Sequence, residues 1–270
     1  ALGLPVSCHC DAGGAAAAAA KAAGAGRAEW SRIEENVAVE RALRLGKAAG
    51  ARVHLAHVST AEAVALLRAA KAAEAAPRPT AEAAPRPTAE AAPRLTAEAT
   101  PHHLALTEAD AERLGAERGG RVNPPLRTEA DRQAVLAALA DGTVDAIATD
   151  HAPHTAADKD AGAPGFTGLE TAFAVCYAEL VAAGRIGLSR LSALMSANPS
   201  AILGLPDRGR LAVGLRADLT LVDLAARWTV EPASLRSRGR NTPFAGRELA
   251  GRIAAAVRGG RFVFDARSTR

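Results

Sequence analysis

Four short apolar runs punctuate the first part of the chain: Leu4–Cys10, Arg52–Ser59, Leu95–Thr100 and Val144–Asp150. Each is bounded by polar or turn-forming residues, which predicts buried strands. Between them the pattern turns helical. Ser31–Ala49 carries Ile33, Val37, Leu43 and Leu45 near a helical period, and Ser31-Arg32-Ile33-Glu34 has the form of a capping box. Ser59-Thr60-Ala61-Glu62 is a second box, opening a helix over Ala61–Ala72. Thr128-Glu129-Ala130-Asp131 opens a third helix, with Val135, Leu136 and Leu139 on its apolar side. Strand, polar turn, capped helix and strand again is the mark of parallel βα units.

Beyond Pro206 the texture changes. Arg210–Gly214, Asp218–Asp223, Trp228–Val230 and Ile253–Val257 read as short strands, and Arg261–Phe264 follows Gly259-Gly260 as a hairpin partner. This is a β-rich module of roughly sixty residues, near the lower edge of independent stability, and it is expected to pack on the first part. Glu-Ala-Ala-Pro-Arg begins at Glu74, Glu82 and Glu90, a period of eight residues. That period is too short for a solenoid unit, and proline forbids a continuous helix, so 74–94 reads as a mobile loop insertion. It precedes its strand, so it belongs at the strands' N-terminal end, away from the face where a barrel carries chemistry. Arg78 and Arg86 are expected to stay out of any site.

Composition narrows the classes. Of 270 residues 49% are hydrophobic but only 3% aromatic, so the core rests on Ala, Leu and Val. The net charge of +4 comes from scattered arginines, with no basic block or aromatic-interleaved stripe, which argues against a nucleic-acid partner. Cys8, Cys10 and Cys176 form neither a CxxC pair nor an even set, which points to a reducing, cytoplasmic setting. Lys21 interrupts the alanine tract, no apolar run reaches spanning length, and no membrane partner is expected. The chain opens on Ala rather than Met and runs almost directly into a strand, from which a natural start further upstream is expected.

Candidate chemistry gathers at strand ends. His9 closes the first strand, where two-residue alternation sets it opposite Cys8 and Cys10. His54 and His57 face opposite sides of the second strand: His57 lies at its C-terminal end, and His54 reads as an outward, packed residue. Asp150 ends the fourth strand, and His151 and His154 follow it. Two strand-end histidines and a later strand-end aspartate fit a zinc-type N/N/O set. His102 and His103 follow the third strand, and either line the pocket or support it. The prolines stiffen Asn123–Arg127, so Asn123 is pre-positioned for an amide or ureide edge. Arg127 serves either an anion or the start of the next helix. There is no GxSxG elbow and no phosphate loop.

These residues resemble class I dihydroorotases, cyclic amidohydrolases of the metal-dependent amidohydrolase superfamily. The likeness runs through Pro5–Cys10, His57–Thr60, Thr96–Leu104, Asn123–Arg127, Thr149–His154, Gly168–Thr171, Asn198-Pro199 and Gly239–Gly246. It implies an α/β fold: the C-terminal part of a metal-dependent (β/α)8 TIM barrel over 1–206, with 74–94 as a loop insertion, then part of a small β-sandwich over 207–270. It implies a small-molecule substrate and the reversible interconversion of N-carbamoyl-L-aspartate and L-dihydroorotate in pyrimidine biosynthesis. By resemblance, His9 and His57 bind one Zn2+, of one or two per site. Asp150 binds the other and transfers the proton, and Asn123, His154, Pro164 and Gly165 contact substrate. Zinc would make a water nucleophilic and polarise the amide carbonyl. Partners of the family type are further copies of the chain or aspartate carbamoyltransferase.

Several family features are missing. The first-strand His-x-His pair, the arginine after it and the bridging carboxylate are absent, and none of Lys21, Lys47, Lys71 or Lys159 ends a strand. The loop Ala163–Phe166 is one residue shorter than the family's Pro-Phe-Gly pattern. About four of the barrel's eight strands are expected here, and open strand edges need cover. The isolated chain is therefore expected to have little or no activity. Two alternatives stand beside this reading: a non-catalytic dihydroorotase-like scaffold, and another cyclic amidohydrolase such as an allantoinase or hydantoinase.

Overall fold

The computed structural model of the protein describes residues 4–10, 27–75 and 94–266. Most of the repeat, 76–93, and with it Arg78 and Arg86, lies outside the described residues.

The four predicted strands form one sheet: β1 (Val6–Cys8), β2 (Val53–Leu55), β3 (Leu95–Ala99) and β4 (Ala146–Ile147). All pairings are parallel, and spatial order follows chain order. The registers join Val6 to Val53, Val53 to Leu95 and Glu98 to Ala146. A sheet that never reverses its strand order is the wall of a βα barrel; a doubly wound sheet reverses partway. The strands are shorter than the apolar runs because the C-terminal residues of each run leave the ladder and turn outward. β1 ends at Cys8, so strand alternation does not set the direction of His9.

Helices α1 (Arg27–Ala49), α2 (Ala61–Ala75) and α5 (Glu129–Asp141) connect and cover these strands. Short helices α3 (Pro101–Ala105) and α4 (Glu108–Leu114) follow β3. The core sets Val53, Leu55, Ala97 and Ile147 of the sheet against Val39, Val64, Leu67, Val135, Leu136 and Leu139 of the helices. Burying each such aliphatic side chain contributes about 1.5–3 kcal/mol.

Two helix starts differ from expectation. α1 begins at Arg27, so Ser31 lies inside it rather than capping it. α2 is capped by Thr60, whose hydroxyl accepts from the Ala63 amide at 3.1 Å; Ser59 is engaged elsewhere. The face of α1 differs too. Ile33, Val37 and Leu45 are exposed, while Glu34, Glu35, Ala38 and Val39 are buried. Small residues and a bonded carboxylate let this helix approach β2 closely, as Gly46 does against Val53. Thr128 caps α5 as expected, in a reciprocal box with Asp131, and Gly142 ends it in the left-handed conformation that glycine adopts freely.

Further along lie α6 (Ala156–Asp160), α7 (Ala172–Cys176, continued by a wider π turn over Tyr177–Ala182) and α8 (Leu188–Ser192), which continues through Ala193–Ala197 to Asn198–Leu203. The antiparallel sheet follows in the order β5 (Leu219–Thr229), β6 (Glu248–Arg258) and β7 (Arg261–Asp265). Asp218–Asp223 and Trp228–Val230 merge into one bulged strand, and Arg210–Gly214 forms no strand. Gly259-Gly260 turns the last hairpin as its sequence predicts. A second core cluster places Val230, Phe244 and Leu249 against Phe166, Ala174 and Val175, so the antiparallel sheet packs on α7 and the Phe166 loop. No helix among the described residues is long and apolar enough to cross a membrane.

Candidate functional site

The C-terminal ends of the parallel strands share one edge, where residues leaving the ladder converge. His9 follows β1 and His57 follows β2. Their rings meet edge to face with centroids 4.5 Å apart, and Nδ1 of His9 lies 2.6 Å from Nε2 of His57. Asn123 brings Nδ2 to 3.4 Å from the other ring nitrogen of His9. His57 and Asp150 are the two non-glycine residues among those described with positive φ, at 38° and 47°. Such backbone costs on the order of 1–3 kcal/mol per residue and persists where the surroundings impose it. Burial and the neighbouring His9 pull the His57 pKa down, partly offset by the charges of Asp150 and Glu35. His57 is thereby held toward the neutral form that ligates metals.

A polar cluster backs the His57 turn. Glu35 of α1 accepts from the Ser59 amide at 2.7 Å, the Thr60 amide at 3.1 Å and the Ser59 hydroxyl. Arg127 donates to Glu35 at 2.9 Å, to the Ser59 hydroxyl at 3.0 Å and to the Ser31 carbonyl at 3.3 Å. It is 6% exposed and paired with the Glu35 carboxylate, so it supports the fold from within. His103 braces the Asn123 loop: its Nε2 donates to the carbonyls of Pro124 and Pro125 at 3.2 and 3.3 Å, and the Thr100 hydroxyl donates to Nδ1 at 2.8 Å. Burial, with the His57 and Arg127 charges, holds its pKa down at about 3, consistent with that neutral tautomer. His102 is also buried, edge-on to Phe166, and its Nε2 has no hydrogen-bond partner among the described residues. His54 belongs to the sheet, bonded to Thr96 at 2.8 Å and Glu98 at 3.0 Å.

The remaining candidates form the other side of the mouth. His154 donates from Nε2 to the Pro164 carbonyl at 2.9 Å. Gly165 has φ 129° and packs so tightly on Ala152 that a Cβ would overlap it, which requires glycine on both counts. Asn241 ties this side together. Its Nδ2 donates to the carbonyls of Ala152 and Gly165, each at 3.0 Å, while its Oδ1 accepts from the His154 amide at 3.0 Å and the Thr167 hydroxyl at 2.8 Å.

His9, His57 and Asn123 are thus in contact, and Asp150 is near enough for its charge to act on His57. His154, Pro164 and Gly165 form a second contact group. Among the described residues no three His, Cys, Asp or Glu side chains are arranged to hold a metal ion, so Asp150 does not complete a three-donor set in this conformation. The donor chemistry nevertheless fits a divalent cation: two converging imidazoles, and a buried His57 Nδ1 with no partner. Sequence reasoning missed Glu35, Asn241 and the loop contacts of Lys159. Glu35 lies on a helix face that reads as solvated, and its partners are distant in sequence. Asn241 sits within the Gly239–Gly246 segment without a local pattern that reveals its bonds.

Comparison with known proteins places the whole chain. The sequence profile of the amidohydrolase family matches residues 1–263. A dihydroorotase from Anaeromyxobacter dehalogenans is 44% identical over 86% of this chain and 50% of its own length. One from Pelotomaculum thermopropionicum is 42% identical, covering 100% of this chain and 60% of its own. The chain therefore spans about half the length of the curated relatives it matches. Among solved structures, the L-hydantoinase (dihydropyrimidinase) from Arthrobacter aurescens superposes with a TM-score of 0.82 at 28% identity, covering 97% of this chain and 57% of that one. The dihydropyrimidinase from Brevibacillus agri shares the fold, with a TM-score of 0.82 at 23% identity. The parallel wall is part of a (β/α)8 barrel, and the antiparallel sheet is part of a β-sandwich.

Proposed function

This chain belongs to the amidohydrolase family, and we propose that it is part of a dihydroorotase, carrying some of the active-site residues of an enzyme of pyrimidine biosynthesis. The reaction is the reversible interconversion of N-carbamoyl-L-aspartate and L-dihydroorotate. Identities of 42–44% to dihydroorotases, against 28% to the L-hydantoinase, support this substrate over a hydantoin. The observation that carries the reading is the meeting of His9 and His57 at adjacent strand ends, beside the Asn123 amide.

The family is metal-dependent, and we assign Zn2+, one or two ions, to His9, His57 and Asp150. Bound there, the ion would lower the pKa of a water and polarise the ring carbonyl. In ring opening, a water oxygen bonds to that carbonyl carbon and the carbon–nitrogen bond breaks. Asp150 takes a proton from the water and delivers it to the departing nitrogen; ring closure runs the same transfers backwards. Asn123 presents a donor and an acceptor to the ureide edge, with its loop braced by His103. His154, Pro164 and Gly165 complete the recognition surface. We further assign 1–206 to the barrel and 207–270 to the β-rich part. The protein is taken to be cytoplasmic, as a homo-oligomer or in association with aspartate carbamoyltransferase, and to bind neither nucleic acid nor membrane.

The structural likeness to hydantoinases favours a second reading, a cyclic amidohydrolase acting on hydantoins or dihydropyrimidines. Titration calorimetry of the zinc-loaded chain with L-dihydroorotate, hydantoin, 5,6-dihydrouracil and allantoin, beside turnover of each, separates the two. We expect dihydroorotate to be preferred about tenfold or more. A preference for hydantoin or dihydrouracil overturns the assignment. Zinc and dihydroorotate binding with little or no turnover fits the isolated chain, which lacks the first-strand His-x-His pair; failure to bind zinc would instead match a scaffold.

A further inference from the structure

Lys159 is a buried cation, 6% exposed, with no carboxylate in ion-pair range among the described residues. Its ammonium donates to three backbone carbonyls, those of Arg121, Ala163 and Gly165, at 2.8, 2.9 and 3.0 Å. Three acceptors match the three hydrogens of a protonated lysine; a neutral amine would leave one unmet. The ammonium lies over the Phe166 ring, 5.4 Å from its centre. Burying an ammonium is costly unless it is fully bonded, so an apolar side chain would fill this space more easily. The feature that distinguishes lysine here is what it joins. Arg121 lies two residues before Asn123, and Ala163 and Gly165 flank Pro164. The Gly165 amide closes the same knot by donating to the Arg121 carbonyl at 3.0 Å.

We infer that Lys159 is a positioning residue that fixes the two recognition loops, the one bearing Asn123 and the one bearing Pro164 and Gly165, at a set separation. A cyclic ureide bridging both loops then meets a preformed surface. Arginine does not substitute, because a planar guanidinium cannot direct donors into one narrow cone of three carbonyls. This inference rests on the dihydroorotase reading for its substrate, and on the geometry alone for its clamp.

Two readouts keep those apart. Hydrogen exchange, without substrate, compares the Gly165 amide with the buried Val58 amide, which donates to the Glu98 carbonyl of β3, in wild-type, Lys159→Met and Lys159→Arg chains. Titration calorimetry measures L-dihydroorotate and zinc affinity in the same variants. Both variants are expected to lose Gly165 protection and weaken dihydroorotate binding by about tenfold or more, as for loss of charge-assisted hydrogen bonds, with Val58 protection and zinc affinity unchanged. Retained Gly165 protection together with dihydroorotate affinity within about twofold of wild type overturns the inference. If Lys159→Met does not fold, Lys159→Gln, which keeps an amide donor, makes the same comparison. Failure of the wild-type chain to bind dihydroorotate overturns the functional reading, while loss of Gly165 protection would still support the clamp.

Discussion

At the scale of single residues, the strained backbone and the proposed chemistry coincide. His57 and Asp150 carry positive φ just beyond the last paired residues of their strands, Leu55 and Ile147, and both are assigned to the cation. A non-glycine residue in a left-handed position is held there by the fold, at a cost in stability. Replacing Asp150 by glycine removes the Cβ conflict. Asp150→Gly should therefore leave the thermal midpoint unchanged or raise it by about 2–4 °C, from relief of about 1 kcal/mol. It should also weaken zinc binding by about tenfold or more. Calorimetric melting and zinc titration check this pair of outcomes; a clear fall in the midpoint would show that Asp150 is a structural residue.

At the scale of elements, Glu35 and Arg127 join three segments that are independent in sequence: α1, the β2–α2 turn and the loop before α5. Their ion pair is buried on both sides, with the side chains 2% and 6% exposed. Removing one partner leaves the other uncompensated. Glu35→Leu should thus destabilise by roughly 3–5 kcal/mol, and adding Arg127→Met should recover much of that loss. Urea melts of the two single variants and the double variant test the coupling. Additive losses would mean that the two side chains act separately. The same contact explains why α1 buries carboxylates while Ile33 and Val37 stay outside: the helix is docked by its hydrogen bonds to the Ser59-Thr60 turn, so its most apolar residues do not choose the face.

At the scale of the molecule, the cluster around Phe244, Val230 and Leu249 beside the antiparallel sheet packs on Phe166 and on Ala174 and Val175 of α7. Phe166 also belongs to the loop that carries Gly165, so the antiparallel sheet buttresses the recognition side of the mouth. Asn241 reinforces this by reaching from the segment between β5 and β6 to His154 and Gly165. Phe244 is 2% exposed, and Phe244→Ala should cost about 3–5 kcal/mol. The whole chain should still melt in one transition, at lower temperature by scanning calorimetry. Two separated transitions in the wild-type chain would show that the sheets do not stabilise each other.

Local pattern alone makes legible the four strands, the Thr128 cap, the Gly259-Gly260 hairpin and the places of His9, His57 and Asp150 beyond their strands. Periodicity, capping and turn chemistry act over a few residues, so they are legible locally. Tertiary structure decided the rest. It set the meeting of His9 with His57 across 48 residues, the pairing of Arg127 with Glu35 across 92, and the buried face of α1. Arg127 reads equally as an anion site or a helix support until Glu35 is seen against it, and Lys159 is uninformative until three carbonyls surround it. A side chain's partner is fixed by where the backbone carries both groups, and for distant residues only the packed chain brings them within hydrogen-bond range.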